Sequence, residues 1–275
     1  MDKAPETLVL WSDAHLLVVN KPAGLPSLPD GYDRQAPHLK SRLEPAFGPL
    51  WIVHRLDRDT SGVIVLARSA SAHQSLNAQF ASRETTKLYH TLVAGNPEWE
   101  EKDVRQPLRL DGDRRHRTVV DPRQGVDAHT HLRVLERYTP ARPMKGARVA
   151  AKSGLPAAHS WALLEAAPTT GRTHQIRAHL SALGLPIIGD KLYGGPSLEL
   201  SQLKADYRAS LSEARPLLGR PGLHAWSLSF RHPASGETLA ITAPYPQDLQ
   251  IALRQLRRYA LLTYYQKFSP ESAFS

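Results

Sequence analysis

The chain has 275 residues, of which 41% are apolar and 22% charged: enough to bury a core, and too little charge for a disordered chain. It lacks cysteine, which excludes a disulfide framework, a thiolate zinc site and a cysteine nucleophile; its apolar runs fall far short of the ~20 residues that span a bilayer. The formal net charge of +9 favours a polyanionic partner, because Lys and Arg near phosphates release condensed counterions. The N-terminus has no basic-then-apolar leader, so the expectation is a cytoplasmic protein with no membrane partner.

Leu8–Leu10 and Leu16–Val19 read as short strands around a turn at Ser12-Asp13. Asn20-Lys21-Pro22-Ala23-Gly24-Leu25-Pro26 follows as a loop fixed by its prolines and glycine, and a Gly/Pro/charged stretch continues to Pro49. Gly62–Ala67 is an unbroken apolar run of strand length, the pattern of a strand buried on both faces. Leu76 and Phe80, four apart, predict a helix over Ser69–Ser82, and Lys87–Ala94 returns to strand character. Residues 100–125 carry charges of both signs and read as a hairpin or an irregular excursion. Strand patterns recur at Ala128–Leu135 and Ser160–Ala167. Between Glu136 and Glu165 there is no acidic residue, while Arg137, Arg142, Lys145, Arg148 and Lys152 fall there, in a stretch that reads as a basic loop.

Thr173–Leu183 is the clearest amphipathic helix, with Ile176, Leu180 and Leu183 on one face; Thr169, Thr170 and Thr173 are candidate caps, and Gly184 and Pro186 stop it. Further helices are expected at Leu198–Leu211 and from Gln247 to Lys267, and strands at Leu223–Phe230 and Thr238–Thr242 around a turn at Ala234-Ser-Gly-Glu. No internal repeat or dividing linker is visible, so the expectation is one α+β domain, in two lobes.

The chemistry concentrates in His54-Arg-Leu-Asp-Arg-Asp-Thr-Ser-Gly62, directly before the apolar strand. Asp59-Thr-Ser-Gly62 is explained by a turn, in which Asp and Ser bond nearby backbone amides. Asp57, between Arg55 and Arg58, is not. A carboxylate beside guanidinium groups keeps its negative charge, which suits a nucleophile or an electrostatic stabiliser better than a general acid. A second segment, Gly171-Arg-Thr-His-Gln-Ile-Arg177, puts Arg177 at the edge of a buried helical stripe; it could reach a carboxylate or lie along the surface as a snorkelling arginine.

These two segments resemble the RluA family of RNA pseudouridine synthases. Asn20-Lys21-Pro22-Ala23-Gly24, Lys87-Leu-Tyr89 with Val93-Ala-Gly95, Gly189-Asp190 with Tyr193-Gly194, and Leu223-His224-Ala225 with His232-Pro233 match that family in the same order. The resemblance covers about residues 8–246. It implies the pseudouridine synthase fold, a mixed and largely antiparallel sheet in two lobes flanked by helices, with an active-site cleft across the sheet. It also implies the catalytic-domain-only kind, without a small S4-type RNA-binding domain, with residues 247–275 as a C-terminal helical extension.

The implied reaction isomerises uridine to pseudouridine within RNA, with no cofactor and no metal. By resemblance Asp57 is the catalytic aspartate, which either attacks the sugar or takes a proton from it. Arg177 is its charge partner, and Tyr89 stacks on the target base and helps remove the C5 proton. Arg55 fills the gap left by the flipped nucleotide, His54, Arg172, His174 and Gln175 are candidates for RNA contact, and Leu223 packs near the base. The expected partner is a stem-loop of ribosomal RNA, transfer RNA or both, and the expected state is a monomer with no obligate protein partner.

Two other readings compete. Asp57-Arg-Asp59-Thr60 fits the Asp-x-Asp-Thr pattern of haloacid-dehalogenase-type phosphatases, whose first aspartate attacks phosphorus beside Mg²⁺; that motif should follow directly on an apolar parallel strand, and here the apolar strand comes after it. A non-catalytic RNA-binding relative would have no chemical need for Asp57, Tyr89 and Arg177 together. Thirteen histidines raise the question of a metal, but His129/His131 and His174/His179 lack the i,i+4 pairing and intervening glutamate of a metalloprotease.

Overall fold

The computed structural model describes residues 8–29, 35–140, 160–204 and 216–265. In chain order, β1 (Val9–Ser12) and β2 (Leu16–Lys21) lead to helix α1 (Leu39–Phe47), the short β3 (Trp51–Ile52), β4 (Ser61–Ala67), α2 (Ala70–Ala81) and β5 (Thr86–Ala94). Then come β6 (Glu101–Arg105), β7 (Leu108–Arg109), β8 (Val119–Val120), β9 (His129–Pro140), β10 (Trp161–Pro168) and α3 (Gln175–Ala182). A 3-10 turn (Lys191–Tyr193), α4 (Leu200–Leu203), β11 (Leu223–Arg231), β12 (Thr238–Thr242), α5 (Gln247–Tyr259) and β13 (Ala260–Tyr265) complete the described chain.

The chain divides into two compact units. Among the described residues, one holds the chain up to Tyr89 together with His224–Pro246; the other holds His90–Leu223 and Gln247–Tyr265. In the first, the strand order is β1-β2-β4-β11, with β3 also on β4 and β12 on β11. All these pairs are antiparallel except β4 with β11. Every residue of β4 is buried, as its apolar run predicts, and Leu16–Val19, Leu39, Leu43 and Leu76 complete the core. Each such side chain contributes about 1.5–3 kcal/mol of burial. Ser69 caps α2 by accepting from the Ala72 amide.

The second unit orders β5-β10-β9-β13, with β6 on β9. The charged 100–125 stretch holds a short hairpin, as one of its two expectations has it, but its first residues join the main sheet, which was not expected. Its start pairs in the sheet as β6, and β7 and β8 form a two-residue ladder. The α+β class and the largely antiparallel sheet match expectation. Among the described residues no helix is long and apolar enough to cross a membrane.

Three expectations need correction. The last helix stops at Tyr259, and Ala260–Tyr265 pairs antiparallel with Glu136–Pro140 of β9, because Thr and Tyr favour a strand wherever a sheet edge accepts one. The helix expected at Leu198–Leu211 is a single turn, Leu200–Leu203, and residues 205–215 lie outside the described chain. The Gly/Pro/charged stretch expected as loop contains a helix at Leu39–Phe47, where a His38–Ser41 capping box and buried Leu39 and Leu43 outweigh Pro45. Residues 141–159 of the basic stretch also lie outside the described chain.

Candidate active site

Asp57 lies in the segment between β3 and β4, and the backbone on both sides of it is tied down. Ser27 Oγ accepts from the Leu56 amide at 3.1 Å and donates to the Leu56 carbonyl at 2.8 Å. On the other side the Arg58 carbonyl accepts from the Gly24 amide (2.9 Å) and from Lys21 Nζ (3.1 Å), and Arg58 Nε donates to the Gly24 carbonyl (3.2 Å). The Thr60 amide closes the turn onto the Asp57 carbonyl at 3.1 Å. Lys21 is fully buried and also donates to the carbonyls of Pro22 (2.9 Å) and Leu25 (2.7 Å). A buried ammonium is tolerated only when so satisfied. The Asn20–Leu25 loop is thus a clamp that fixes the chain around the half-buried Asp57.

Gly62 fixes the other end of the segment. Its φ is +121°, and a Cβ there would lie 2.2 Å from the Ala225 carbonyl oxygen, where β4 meets β11 in parallel register. Beside it Ser61 Oγ and His224 Nδ1 share a buried hydrogen bond of 2.9 Å, and His224 Nε2 reaches the Ala243 carbonyl at 3.1 Å.

Tyr89 is half-buried and packs against this same core. Burial, and after it the negative charge of Asp57, push its phenol well above the usual tyrosine range. The charge of Asp57 thus acts on the Tyr89 ring hydroxyl, and Tyr89 stays protonated at neutral pH. His54 has internal work: its Nε2 accepts from the Val65 amide at 3.1 Å and its ring stacks on Phe80 at 4.6 Å. Burial, then the charge of Lys87, lower its pKa to about 3, so the ring is neutral. Arg55 is exposed and makes no hydrogen bond or ion pair to the described residues.

In the second unit, Arg177 on α3 is held by Asp190. Nε to Oδ2 is 2.6 Å and Nη2 to Oδ1 is 2.9 Å, a two-point fork with Asp190 1% exposed. The Tyr193 ring lies 4.9 Å from the guanidinium carbon. The threonines expected to cap α3 do not. His174, at φ 56°, occupies the N-cap without a capping bond, and its Nδ1 lies 3.1 Å from the Tyr193 hydroxyl. Thr170 helps the helix start indirectly, donating to Gln175 Oε1 at 2.6 Å. Gln175 is buried, with further bonds to the Arg172 amide (3.1 Å), the His129 carbonyl (2.8 Å) and Thr130 Oγ1 (2.9 Å). Arg172 is exposed and donates to the Asp127 carbonyl at 3.1 Å. Leu223 is buried at the start of β11.

The sequence expectation of RNA contact thus meets internal roles at His54 and Gln175, and exposure at Arg55 and Arg172. Sequence reasoning missed Lys21 and Ser27 as supports of the Asp57 segment, and Asp190 and Tyr193 as supports of Arg177. Lys21 and Asp190 belong to the matching motifs, but their grip on backbone carbonyls and on an arginine exists only in the folded chain. The element entering the Asp57 segment is the two-residue β3, antiparallel to β4; the topology of the phosphatase motif is absent. No group of three or more His, Asp or Glu among the described residues is arranged to hold a metal.

The largely antiparallel α+β scaffold carries an aspartate on an anchored turn whose charge bears on a neighbouring tyrosine. The family model described as RNA pseudouridylate synthase matches residues 15–182, and the chain belongs to that family: it is an RNA pseudouridine synthase, an isomerase. It is 36% identical over 236 residues to the dual-specificity RNA pseudouridine synthase RluA of Pasteurella multocida, covering 86% of this chain and 92% of that one. It is 37% identical over 254 residues to ribosomal large subunit pseudouridine synthase D of Xanthomonas campestris, covering 90% and 69%. Among solved structures, human RNA pseudouridylate synthase domain containing 4 aligns with TM-score 0.63 and 26% identity over 95% of this chain and 97% of that one. Human RNA pseudouridylate synthase domain containing 1 shares the fold at TM-score 0.68 over 99% and 95%.

Proposed function

We propose that the chain isomerises a specific uridine in a stem-loop of ribosomal RNA, transfer RNA or both, with Asp57 as its catalytic carboxylate. The carrying observation is Asp57 itself, set between two pinned carbonyls and in electrostatic contact with Tyr89. The names of the relatives, dual-specificity and large-subunit enzymes, support the choice of substrates. In the reaction the N1–C1′ bond breaks, uracil turns, C5 bonds to C1′, the C5 proton leaves and N1 gains one, so uridine and product are isomers.

The target nucleotide leaves its stack before its sugar meets Asp57. Tyr89, protonated, offers a stacking face to the base, and Arg55, exposed and without a described partner, fills the vacated gap. Arg177, whose guanidinium is held in a two-point fork by Asp190, is the positive charge we assign to steadying Asp57 in the reacting complex. Arg172 and His174 contact the RNA, and Leu223 packs beneath the base. The enzyme acts as a cytoplasmic monomer, with residues 8–246 as the catalytic core.

The test is carbodiimide-based mapping of pseudouridine across total RNA from cells with and without this protein. One vanished signal in ribosomal or transfer RNA is expected and names the uridine; an unchanged map would remove the proposal.

A further inference from the structure

Lys87 has no anion. On β5 the residues alternate: Leu88 and His90 are buried, while Lys87 and Tyr89 are half-buried on the opposite face. Two residues apart on a strand, they stand about 7 Å from one another, within the span of a nucleotide. Lys87 makes no hydrogen bond or ion pair to the described residues. The charged groups that act on it are not anions: Arg83 bears on it directly, and the His54 ring, which feels the Lys87 charge, is neutral. The nearest acid in sequence, Glu84, is already bound to Arg231 and to Ser82 Oγ. Burial, then Arg83, pull the ammonium below the usual lysine range.

Evolution of a stable surface would not leave a half-buried cation next to another cation, since desolvation without a partner only costs free energy. A polyanion would supply what is missing. We propose that Lys87 is a phosphate-binding residue, taking a phosphodiester of the substrate RNA beside the base received by Tyr89, with the exposed Arg83 as its outer neighbour. This deepens the site reading above and rests on it. The ligand is a backbone phosphate and not a base edge, because an ammonium is a point charge with no planar fork to read one. A plain alternative is a snorkelling lysine that covers apolar surface and keeps its charge in water.

The experiment compares wild type, Lys87→Met and Lys87→Arg on bulk ribosomal and transfer RNA carrying 5-tritiated uridine. It reads thermal midpoint, tritium release and the dependence of kcat/KM on salt. Lys87→Met should raise the Tm of the RNA-free protein by about 2–4 °C, because a cation without a partner is removed. The same variant should lower kcat/KM about tenfold, mostly through KM, and reduce the salt slope by about 0.7–0.9, the share of one phosphate. Lys87→Arg should restore both slope and KM. A wild-type salt slope in Lys87→Met overturns the proposal whatever its Tm. A wild type that releases no tritium removes the enzyme reading and this proposal together, so the two failures are told apart.

Discussion

Replacing Lys21 with methionine keeps the length of a fully buried side chain and removes three donated bonds at 2.9, 2.7 and 3.1 Å. The Leu25 carbonyl is buried, and leaving it without this donor costs about 1–3 kcal/mol. The Pro22 and Arg58 carbonyls are partly buried and open to water, so each loses about 0.5–1 kcal/mol. Removing the buried charge relieves its own desolvation and offsets part of that. The net is about 2–3 kcal/mol, or roughly 5–10 °C in Tm at about 2–4 °C per kcal/mol for this length. Because the Arg58 carbonyl loses one of its two donors, Asp57 also loses its fixed position. Turnover should then fall about tenfold or more at a temperature where the variant is folded, with RNA affinity nearly unchanged. Circular-dichroism melting and tritium release read the two effects. A variant that melts within about 1 °C of wild type and turns over at full rate would refute the clamp.

Gly62→Ala should destabilise the first unit by more than about 3 kcal/mol, since the new Cβ meets the Ala225 carbonyl and the backbone sits at positive φ; urea unfolding with an unchanged midpoint would show that β11 yields instead. Asp190→Asn keeps the shape and loses the charge that forks Arg177; kcat should drop about tenfold with KM within about twofold, and Asp190→Glu should recover part of it. Equal loss in kcat and KM would make Asp190 merely structural. The His54 pKa is lowered to about 3 from 6.5. Between those values the unfolded chain binds a proton that the folded one does not, so this stability is present above 6.5 and is lost as pH falls toward 3. His54→Gln should flatten the acid-side loss measured by urea unfolding between about pH 7 and pH 4.5; an equal loss in both proteins would place the acid sensitivity elsewhere.

Much of the first unit could be read from its residues. The β4 run is continuous because both faces are covered, and α2 follows from a serine cap and apolar residues four apart. The ends of elements were less legible. Whether Ala260–Tyr265 continues α5 or joins β9 depends on a sheet edge more than a hundred residues away, which no local pattern reports. Helix Leu39–Phe47 hid behind a proline, although its capping box was present in the sequence. At the site, chemistry was legible and support was not. Asp57 drew notice because packing does not require a carboxylate between arginines. Lys21 and Asp190 did not, because a lysine satisfied by carbonyls and an aspartate forked to an arginine are properties of folded backbone. His54 and Gln175 have the polarity of RNA ligands, and the fold uses that polarity to satisfy the Val65 amide and the His129 carbonyl.

The measurement closest to the central claim is tritium release from 5-tritiated uridine RNA by wild type and Asp57→Asn, with RNA binding followed in parallel. Wild type should release tritium, and the variant should bind RNA within a few-fold of wild type and release none. Release by Asp57→Asn at the wild-type rate would contradict the assignment of the reaction to this carboxylate.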